Sequence, residues 1–356
     1  MPMIDADAHV VESERTWDYL EPADQKYRPV IVGPKTEGQR QFWMLQGKVV
    51  GLARSVLTAQ QFATLSQRAG REMTTPQEAR EMENVEVRLR HMDDLGVDIQ
   101  VLHPTIFIER VADTPEAEVP ICHAYNRWLS DIWAQSSNRL RWSCVPPVLD
   151  ISAGLEELRF SKQHGACAVF LRGIEGERLI TDPYFFPIYE EAQRLDLAIV
   201  VHVANGNPEM VDMLQRYNSS GFWPFRLTTI GTFHAVVMSG LPAQFPGLRF
   251  AFVEAASGWL PYALSDLRRR LAARGQTLPD DALRDFRLYV TCQNDDDVPY
   301  VLSKAGEDNI VIGTDYGHND QSTEIEALRN LGDSGGITPA QFQKIVYDNP
   351  KALYAL

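Results

Sequence analysis

Within the stretch Met3–Glu12, MIDADAHVVE, ionisable side chains alternate with apolar ones from Asp5 to His9, and Glu12 follows. Successive side chains of a β-strand point to opposite faces, so Asp5, Asp7 and His9 share one face of a strand. If the sheet closes into a barrel, that face points either into the interior or towards an outer layer of helices. Unpaired charges against a helix layer are costly, and we therefore expect these side chains to point inward, near the barrel mouth.

Seven further short runs rich in β-branched and apolar residues follow this first one. Segments of helical periodicity separate most of them, and strand–helix alternation is typical of a parallel sheet. Eight such units predict a (β/α)8 TIM barrel, an α/β fold whose functional residues lie at the carboxyl ends of the strands. The predicted strands are Met3–Val10, Val97–His103, Leu140–Val145, Ala166–Arg172, Leu197–Asn205, Leu248–Glu254, Arg287–Cys292 and Asn309–Asp315.

Helical periodicity is clear in five of the longer intervals between these strands. Near the end of the chain, Thr338 followed by proline predicts the beginning of another helix, because threonine caps helices and proline fits their first turn. The five predicted helices cover residues 76–96, 116–137, 151–165, 187–196 and 260–274.

We expect a single domain over residues 1–356, because α/β barrels of about 250 residues or more form one domain. Residues 21–75 are too long for a simple connection and contain the apolar piece FWMLQGKVVGLA. We interpret them as a cap inserted over the barrel mouth, and a surface hairpin without a role is the alternative. A second long connection, residues 206–221, leads into Trp223 and Phe225, which fit either a substrate pocket or ordinary packing.

The composition excludes several classes of partner. A formal net charge of -14 argues against nucleic acid and anionic membranes, which attract clustered Lys and Arg. The four cysteines have no CxxC spacing and fall in apolar stretches, so we expect reduced core residues. With no signal-like segment and no apolar run of about 20 residues, the cytoplasm is the expected location.

Four predicted strands carry residues that can bind a metal ion at or near their carboxyl ends. Carboxylates and imidazoles are ligands of zinc, manganese and iron. Because these strand ends meet at one face of a barrel, the pattern favours a metal site over separately buried charges. The residues are Asp7 and His9 of the first strand, His202 of the fifth, Glu254 of the sixth and Asp315 of the eighth.

Five segments resemble the amidohydrolase superfamily, and specifically the branch of aminocarboxymuconate-semialdehyde decarboxylase and related aromatic-acid decarboxylases. They are DADAHVVE near the start, VHVAN in the middle, then SGLPAQFPGLRFAFVEAASGWLPYAL, GTDYGHND and the closing DNPKALYAL. Their order and spacing cover nearly the whole chain except residues 21–75. The resemblance implies a barrel with a divalent metal ion, zinc, manganese or iron, at its mouth.

The resemblance also implies which residues hold that ion. They are Asp7, His9, His202 and Asp315, and Asp315 would in addition accept a proton during catalysis. Asp5, one layer deeper on the same face, is expected to be a structural carboxylate.

Glu254 departs from the family pattern, because the decarboxylases of this branch carry a catalytic histidine at the end of the sixth strand. A carboxylate replaces that histidine as a proton donor only if its pKa is strongly raised. Alternatively, Glu254 together with Glu12 and His318 completes a second metal position. Some members of this branch with a D-x-H-x-x-E start resemble dinuclear-iron oxygenases rather than decarboxylases, and the second arrangement would suit that chemistry.

Further candidates lie around the same rim. Arg172 ends the fourth strand, where a guanidinium fits a substrate carboxylate or a salt bridge with a neighbouring acid. His103 ends the second strand and is a candidate for substrate binding, as is Trp223. His234, in the apolar helical stretch TFHAVVMSGL, is a catalytic candidate whose alternative is packing in the helix layer.

These observations predict a metal-dependent hydrolase or non-oxidative decarboxylase that acts on a small organic or aromatic acid. The alternatives are a dinuclear-iron oxygenase and a degenerate barrel that serves as a non-catalytic partner subunit. One or two metal ions are expected, and a homo-oligomer, dimer or tetramer, is the expected assembly.

Overall fold

Eight parallel strands form one sheet in the order of the chain, as seen in a computed structural model that describes residues 1–34, 36, 39–55, 59–217, 220–320 and 322–356. The predicted (β/α)8 barrel is confirmed, and each of the eight predicted strands is present. Strands 1 to 8 are Ile4–His9, Ile99–His103, Leu140–Cys144, Ala166–Arg172, Ala198–His202, Phe250–Phe252, Leu288–Cys292 and Ile310–Ile312.

The ring of strands closes where the chain leaving strand 8 meets strand 1. The backbone N–H of His9 donates to the carbonyl of Tyr316 at 2.8 Å, and that of Asp315 donates to the carbonyl of Asp7 at 2.9 Å. Gly313 permits this approach, because a Cβ atom at that position would lie 2.2 Å from the Cβ of Asp7. The closure therefore holds Asp7 and His9 beside Asp315.

The interior of the barrel below the mouth is apolar. Val101 and Val200 lie two residues before His103 and His202 on their strands, so each pair shares one face. The two valines belong to a buried cluster that also contains Ala6, Ala168, Ala251 and Val311. The polar residues of the mouth therefore lie above a packed apolar layer, and not above a channel.

Helices surround the barrel, and the helix predicted over residues 76–96 is in fact two. Met82 has a positive φ of 51°, and the side chain of Asn84 accepts the backbone N–H of Glu86 and begins the second helix. The predicted beginning at Thr338 is confirmed. The α-helices are Ala59–Ala69, Gln77–Arg80, Val85–Leu95, Pro115–Ala134, Ile151–Gln163, Phe186–Arg194, Pro208–Tyr217, Leu227–Ser239, Leu241–Gln244, Leu260–Ala272, Ala282–Asp285, Val298–Ala305, Ala327–Asp333, Pro339–Gln343 and Asn349–Tyr354.

The segment 21–75 contributes a three-stranded antiparallel sheet, Val30–Val32, Arg40–Leu45 and Lys48–Ser55, followed by the helix Ala59–Ala69. Residues 35, 37–38 and 56–58 of this segment, and residues 218–219 of the later long connection, lie outside the described residues. Trp43 of the sheet is buried and packs edge to face against Trp17, with ring centroids 5.7 Å apart. The small sheet is therefore anchored to the body of the barrel by its apolar face.

All four cysteines are free and buried, as the sequence predicts. Within the described ranges, every helix is too short or too polar to cross a lipid bilayer.

Candidate metal centre

Polar side chains from four strand ends converge at the barrel mouth. Nε2 of His9 lies 3.5 Å from Oδ1 of Asp7 and 3.4 Å from Oδ1 of Asp315. Nε2 of His202 lies 3.4 Å from the same oxygen of Asp7 and 3.3 Å from Oε2 of Glu254. The four strand-end positions singled out in the sequence therefore meet in one buried cluster.

The atoms that face one another in this cluster are buried without hydrogen bonds. Among the described residues, no hydrogen-bond partner exists for these five atoms: Oδ1 of Asp7, Nε2 of His9, Nε2 of His202, Oδ1 of Asp315 and Nδ1 of His318. A buried polar group without a partner costs about 1–3 kcal/mol, so five together require a compensating interaction. A cation placed among them would supply it.

The protonation of the histidine rings directs their free nitrogens towards the centre. Nδ1 of His9 lies 3.1 Å from the carbonyl of Pro104, and Nδ1 of His202 lies 3.4 Å from the carbonyl of Val203. A carbonyl only accepts hydrogen bonds, so each Nδ1 carries the proton and each Nε2 presents its lone pair. This is the arrangement in which histidine binds a metal ion.

The distances between the imidazole nitrogens and the carboxylate oxygens also fit a metal ion. Ligands that share a tetrahedral zinc ion at about 2.1 Å lie about 3.4 Å from one another. The distances of 3.3–3.5 Å around His9 and His202 agree with that value. Two overlapping groups of donors, each within 4.8 Å of one another, share His9: one with Asp7 and His202, the other with Glu254, Asp315 and His318.

The electrostatics of the cluster favour a bound cation. Burial, reinforced by neighbouring acids, raises the pKa of Glu254 and that of Asp315 well above the usual carboxyl range. Burial alone would also raise the pKa of Asp7, but contacts with His202 and His9 outweigh it and lower that pKa. Burial lowers the pKa of His9 well below its ordinary value, so its ring is neutral and free to coordinate.

Two of the acids occupy strained backbone positions. Glu254 has φ 67° and Asp315 has φ 51°, in the left-handed region that residues other than glycine rarely adopt. Such strain costs about 1–3 kcal/mol and persists where the surrounding structure imposes it, often at functional sites. Here it turns both carboxylates inward immediately after their strands end.

His318 joins the cluster from the loop after strand 8. Its ring stacks on that of His9 with centroids 3.8 Å apart, and its Nδ1 lies 2.7 Å from Oδ1 of Asp315. The hydroxyl of Thr105 donates to the carbonyl of Val10 and therefore accepts from Nε2 of His318 at 2.9 Å. The remaining nitrogen, Nδ1, consequently faces the centre with its lone pair.

Glu12 is not part of the cluster, contrary to its predicted role in a second metal position. Its two carboxylate oxygens accept the backbone N–H groups of Thr105 and Ile106, each at 3.0 Å. The side chain therefore caps the turn that follows strand 2. Burial raises the pKa of Glu12 to about 7.

Arg172 does not present its guanidinium to a substrate. Its Nε and Nη2 pair with Oε2 of Glu175 at 2.8 and 2.7 Å, and its Nη1 donates to the carbonyls of Phe107 and Glu109. The side chain is buried with its donors occupied. This geometry fits the alternative interpretation, a salt bridge with a neighbouring acid.

The structure places the other three candidates outside the cluster. His234 pairs with Asp266 at 3.1 Å between two outer helices, away from the residues of the cluster. Trp223 is 51% exposed in the short helical segment Phe222–Arg226. His103 lies beneath the cluster, where its nitrogens contact Ser143 and the carbonyl of Ala6, and burial lowers its pKa to about 4.

Sequence analysis missed two residues that support Asp315. The hydroxyl of Thr323 donates to Oδ2 of Asp315 at 2.8 Å and leaves Oδ1 for the centre. Asp320 lies close enough to Asp315 and Glu254 to raise the pKa of both. Both follow strand 8 in an irregular loop, where no periodicity indicates which side chains return to the site.

A cavity of about 380 Å³ lies between this centre and the small sheet of segment 21–75. His318, Asp320 and Thr105 line its inner side. Arg40, Leu52 and Phe62 of the segment also line it. A small organic molecule fits a space of this size, and the segment forms one of its walls.

Comparison with known proteins adds a family and a fold. The model of the amidohydrolase family matches residues 4–356. A 2-amino-3-carboxymuconate-6-semialdehyde decarboxylase from Dictyostelium discoideum is 20% identical over 241 residues, which span 65% of this chain and 66% of that protein.

Solved structures share the barrel. An amidohydrolase from Mycobacterium avium subsp. paratuberculosis K-10 superimposes with a TM-score of 0.77 at 18% identity, covering 99% of both chains. A 2,6-dihydroxybenzoate decarboxylase from Rhizobium gives 0.68 at 16% identity, covering 100% of this chain and 99% of the other. A 5-carboxyvanillate decarboxylase from Novosphingobium aromaticivorans, complexed with manganese and a nitrobenzoic acid, gives 0.62 at 18% identity over 84% and 93%. At these identities the likeness is one of fold.

Proposed function

The chain belongs to the amidohydrolase family, and from this premise we propose that it is a divalent-metal-dependent enzyme acting on a small aromatic or other organic acid. Non-oxidative decarboxylation is the reaction that we favour, with hydrolysis as the neighbouring possibility within the family. The observation that carries the proposal is a set of five buried atoms, carboxylate oxygens and imidazole nitrogens, that face one another without hydrogen bonds and could bind a metal ion.

Asp7, His9, His202 and Asp315 are the proposed ligands of one zinc, manganese or iron ion. When bound, the ion would draw in the carboxylate of the substrate and stabilise negative charge as it develops. The imidazoles are oriented by their bonds to Pro104 and Val203, so the ligands need little rearrangement to bind.

Decarboxylation also requires a proton. The bond between the ring carbon and the carboxylate breaks, CO2 leaves, and the electron pair that stays on the carbon takes up a proton. Glu254 is the proposed donor, because Oε2 lies 3.3 Å from Nε2 of His202 and the side chain is at the mouth of the barrel. In a hydrolase the same carboxylate would move a proton to or from water.

Segment 21–75 is the proposed cap of the active site. Support comes from Leu52 and Phe62, which form an apolar wall of the cavity opposite the metal centre. Such a wall excludes water from the reacting groups and limits the size of the substrate. In this proposal the segment belongs to the single barrel domain rather than to a separate one.

We further propose a cytoplasmic homo-oligomer, a dimer or a tetramer. Light scattering of the purified protein measures the assembly directly.

The arrangement of Glu12 disfavours the dinuclear-iron alternative. That alternative needs Glu12 as a ligand, whereas both of its oxygens accept backbone N–H groups. Breaking those bonds would uncap the turn after strand 2. The intact ligand set likewise disfavours a partner subunit without activity.

Anaerobic purification with metal quantification, followed by a screen of aromatic acids, tests the proposal. CO2 release, hydrolysis products and oxygen uptake are measured in parallel. We expect about one divalent ion per chain and CO2 release without oxygen uptake. Two irons per chain with oxygen uptake would instead establish the oxygenase, and a protein without bound metal in any divalent salt would refute the proposal.

A further inference from the structure

A chain of buried polar side chains lies behind the metal centre, and the proposed reaction uses none of them. It consists of Arg88, Gln100, Asp5 and Thr314, which we call the buried polar chain. Arg88, Gln100, Asp5 and Thr314 are each 0% exposed. They come from an outer helix, strand 2, strand 1 and the segment after strand 8.

Asp5 connects strand 1 to the segment that carries Asp315. Its Oδ1 accepts the backbone N–H of Thr314 at 2.9 Å, and its Oδ2 accepts the hydroxyl of Thr314 at 2.5 Å. The backbone N–H of Asp7 also lies 3.3 Å from Oδ1 of Asp5. One carboxylate therefore contacts the residue before Asp315 and the backbone of Asp7.

Gln100 and Arg88 hold Asp5 from the other side. Nε2 of Gln100 donates to Oδ2 of Asp5 at 2.9 Å, and Oε1 of Gln100 accepts a hydrogen bond from Nε of Arg88 at 2.7 Å. Nη1 of Arg88 donates to the carbonyl of His9 at 3.2 Å, and the guanidinium lies 3.6 Å from the ring centre of Tyr316. Arg88 thus contacts both His9, a proposed ligand on strand 1, and Tyr316, the residue after Asp315.

We infer that the buried polar chain is a positioning device, which fixes the distance between the strand 1 ligands and Asp315 that a single metal ion requires. Stability alone does not explain it, because burying an arginine and a carboxylate costs more than well-packed apolar side chains would. The chain links the two segments whose relative position sets the metal geometry. The inference rests on the proposed function, because it assumes a metal ion at the centre.

Substitution of Thr314 tests the inference without removing a ligand. Thr314→Val keeps the shape of the side chain and removes the hydroxyl, which donates to Asp5 and accepts the backbone N–H of Tyr316. Thr314→Ser keeps the hydroxyl. Thr232→Val is the matched control, because Thr232 is buried and, among the residues that the structure describes, its hydroxyl bonds to the carbonyl of Thr228 in its own helix. Mn²⁺ is titrated into each metal-free protein, and thermal unfolding of the metal-free proteins is measured in parallel.

We expect Thr314→Val to weaken Mn²⁺ binding by about tenfold or more, and Thr314→Ser and Thr232→Val to change it less than about threefold. If Thr314→Val does not fold, Gln100→Met is expected to give the same loss of affinity. Unchanged affinity combined with a lowered unfolding temperature would overturn the inference and leave a structural role. Failure of the wild-type protein to bind Mn²⁺ is a different result, since it would refute the proposed function itself.

Discussion

Two clusters of buried polar groups lie side by side at the barrel mouth and differ in one respect. His202 of strand 5 pairs in register with Arg172 of strand 4, so their backbones are direct neighbours. Around His202 the buried atoms that face one another, such as Nε2 of His202 and Oδ1 of Asp7, lack hydrogen bonds among the described residues. Around Arg172 the guanidinium pairs with Glu175 and with backbone carbonyls.

The difference distinguishes the proposed metal site from a group of side chains whose contacts are satisfied within the protein. In a buried ion pair whose atoms all have partners, no atom is free to bind a ligand. Loss of such a pair should therefore affect the stability of the fold. Buried polar atoms without hydrogen bonds lower the stability of the ligand-free protein. The protein recovers that free energy only when a ligand binds to them. Both clusters look alike in sequence, since each places charged residues at a strand end.

Asp315→Asn should produce the largest effect on the unsatisfied cluster. The change keeps the shape of the side chain but removes a charge from the ligand set. Activity should fall by about 10⁴-fold or more and metal affinity should fall with it, because the ion carries much of the transition-state stabilisation. Metal analysis and rate measurements on the reconstituted protein check this.

The same variant should leave the metal-free protein at least as stable as the wild type, because burial and neighbouring acids already disfavour the charged form of Asp315. A marked loss of stability in the metal-free state would mean that Asp315 belongs with the satisfied groups.

Glu254→Gln distinguishes a proton donor from a ligand. If Glu254 moves a proton, metal content stays intact while the rate falls by about 10²–10⁴-fold. If it binds a second metal ion instead, the bound metal falls by about one equivalent, since an amide is a weaker ligand than a carboxylate. Unchanged metal content and activity would remove Glu254 from the active site.

Arg172→Met should act on stability alone. Removing the guanidinium leaves Glu175 as a buried unpaired charge, and we expect a loss of about 3–5 kcal/mol in the free energy of unfolding. Metal content per folded chain should remain at the wild-type value. Denaturant unfolding and metal analysis test both halves, and loss of metal at unchanged stability would reverse the assignment of the two clusters.

Glu12→Gln should change the pH dependence of stability. Burial raises the pKa of Glu12 to about 7 from the ordinary 4.5, so its stabilising contribution is complete below pH 4.5 and is lost as the pH rises through 7. The wild type should therefore lose about 3 kcal/mol more than the variant over this interval.

Denaturant unfolding of both metal-free proteins at several pH values measures that difference. Metal content should be equal in the two, as expected for a residue that caps a turn. Parallel pH profiles would show that Glu12 is not buried in this way.

The strands and their polar ends were predictable because they depend on local patterns. Period-two alternation identified strand 1, and the carboxyl ends of barrel strands meet by topology, so Asp7, His9, His202 and Asp315 could be expected to converge. The prediction that Asp5 shares the face of His9 was wrong, because a register shift between Asp5 and Ala8 interrupts the alternation and Asp5 pairs with Gln100 instead. Their roles as ligands remain predictions.

Residues whose partners lie far away in the chain could not be assigned in the same way. Glu12 finds its partners at Thr105 and Ile106, and His234 finds Asp266, neither of which any sequence period indicates. The helix break at Met82 and the left-handed conformation of Glu254 likewise depend on tertiary packing. The pairing of Arg172 with Glu175 was accessible, because the two residues are only three positions apart.

Diffraction from manganese-loaded crystals, recorded at the manganese absorption edge, tests the central claim most directly. We predict one anomalous peak at the barrel mouth, about 2.0–2.3 Å from Nε2 of His9, Nε2 of His202, Oδ1 of Asp7 and Oδ1 of Asp315. A mouth without an anomalous peak, or a peak bound only by residues outside this set, would contradict it.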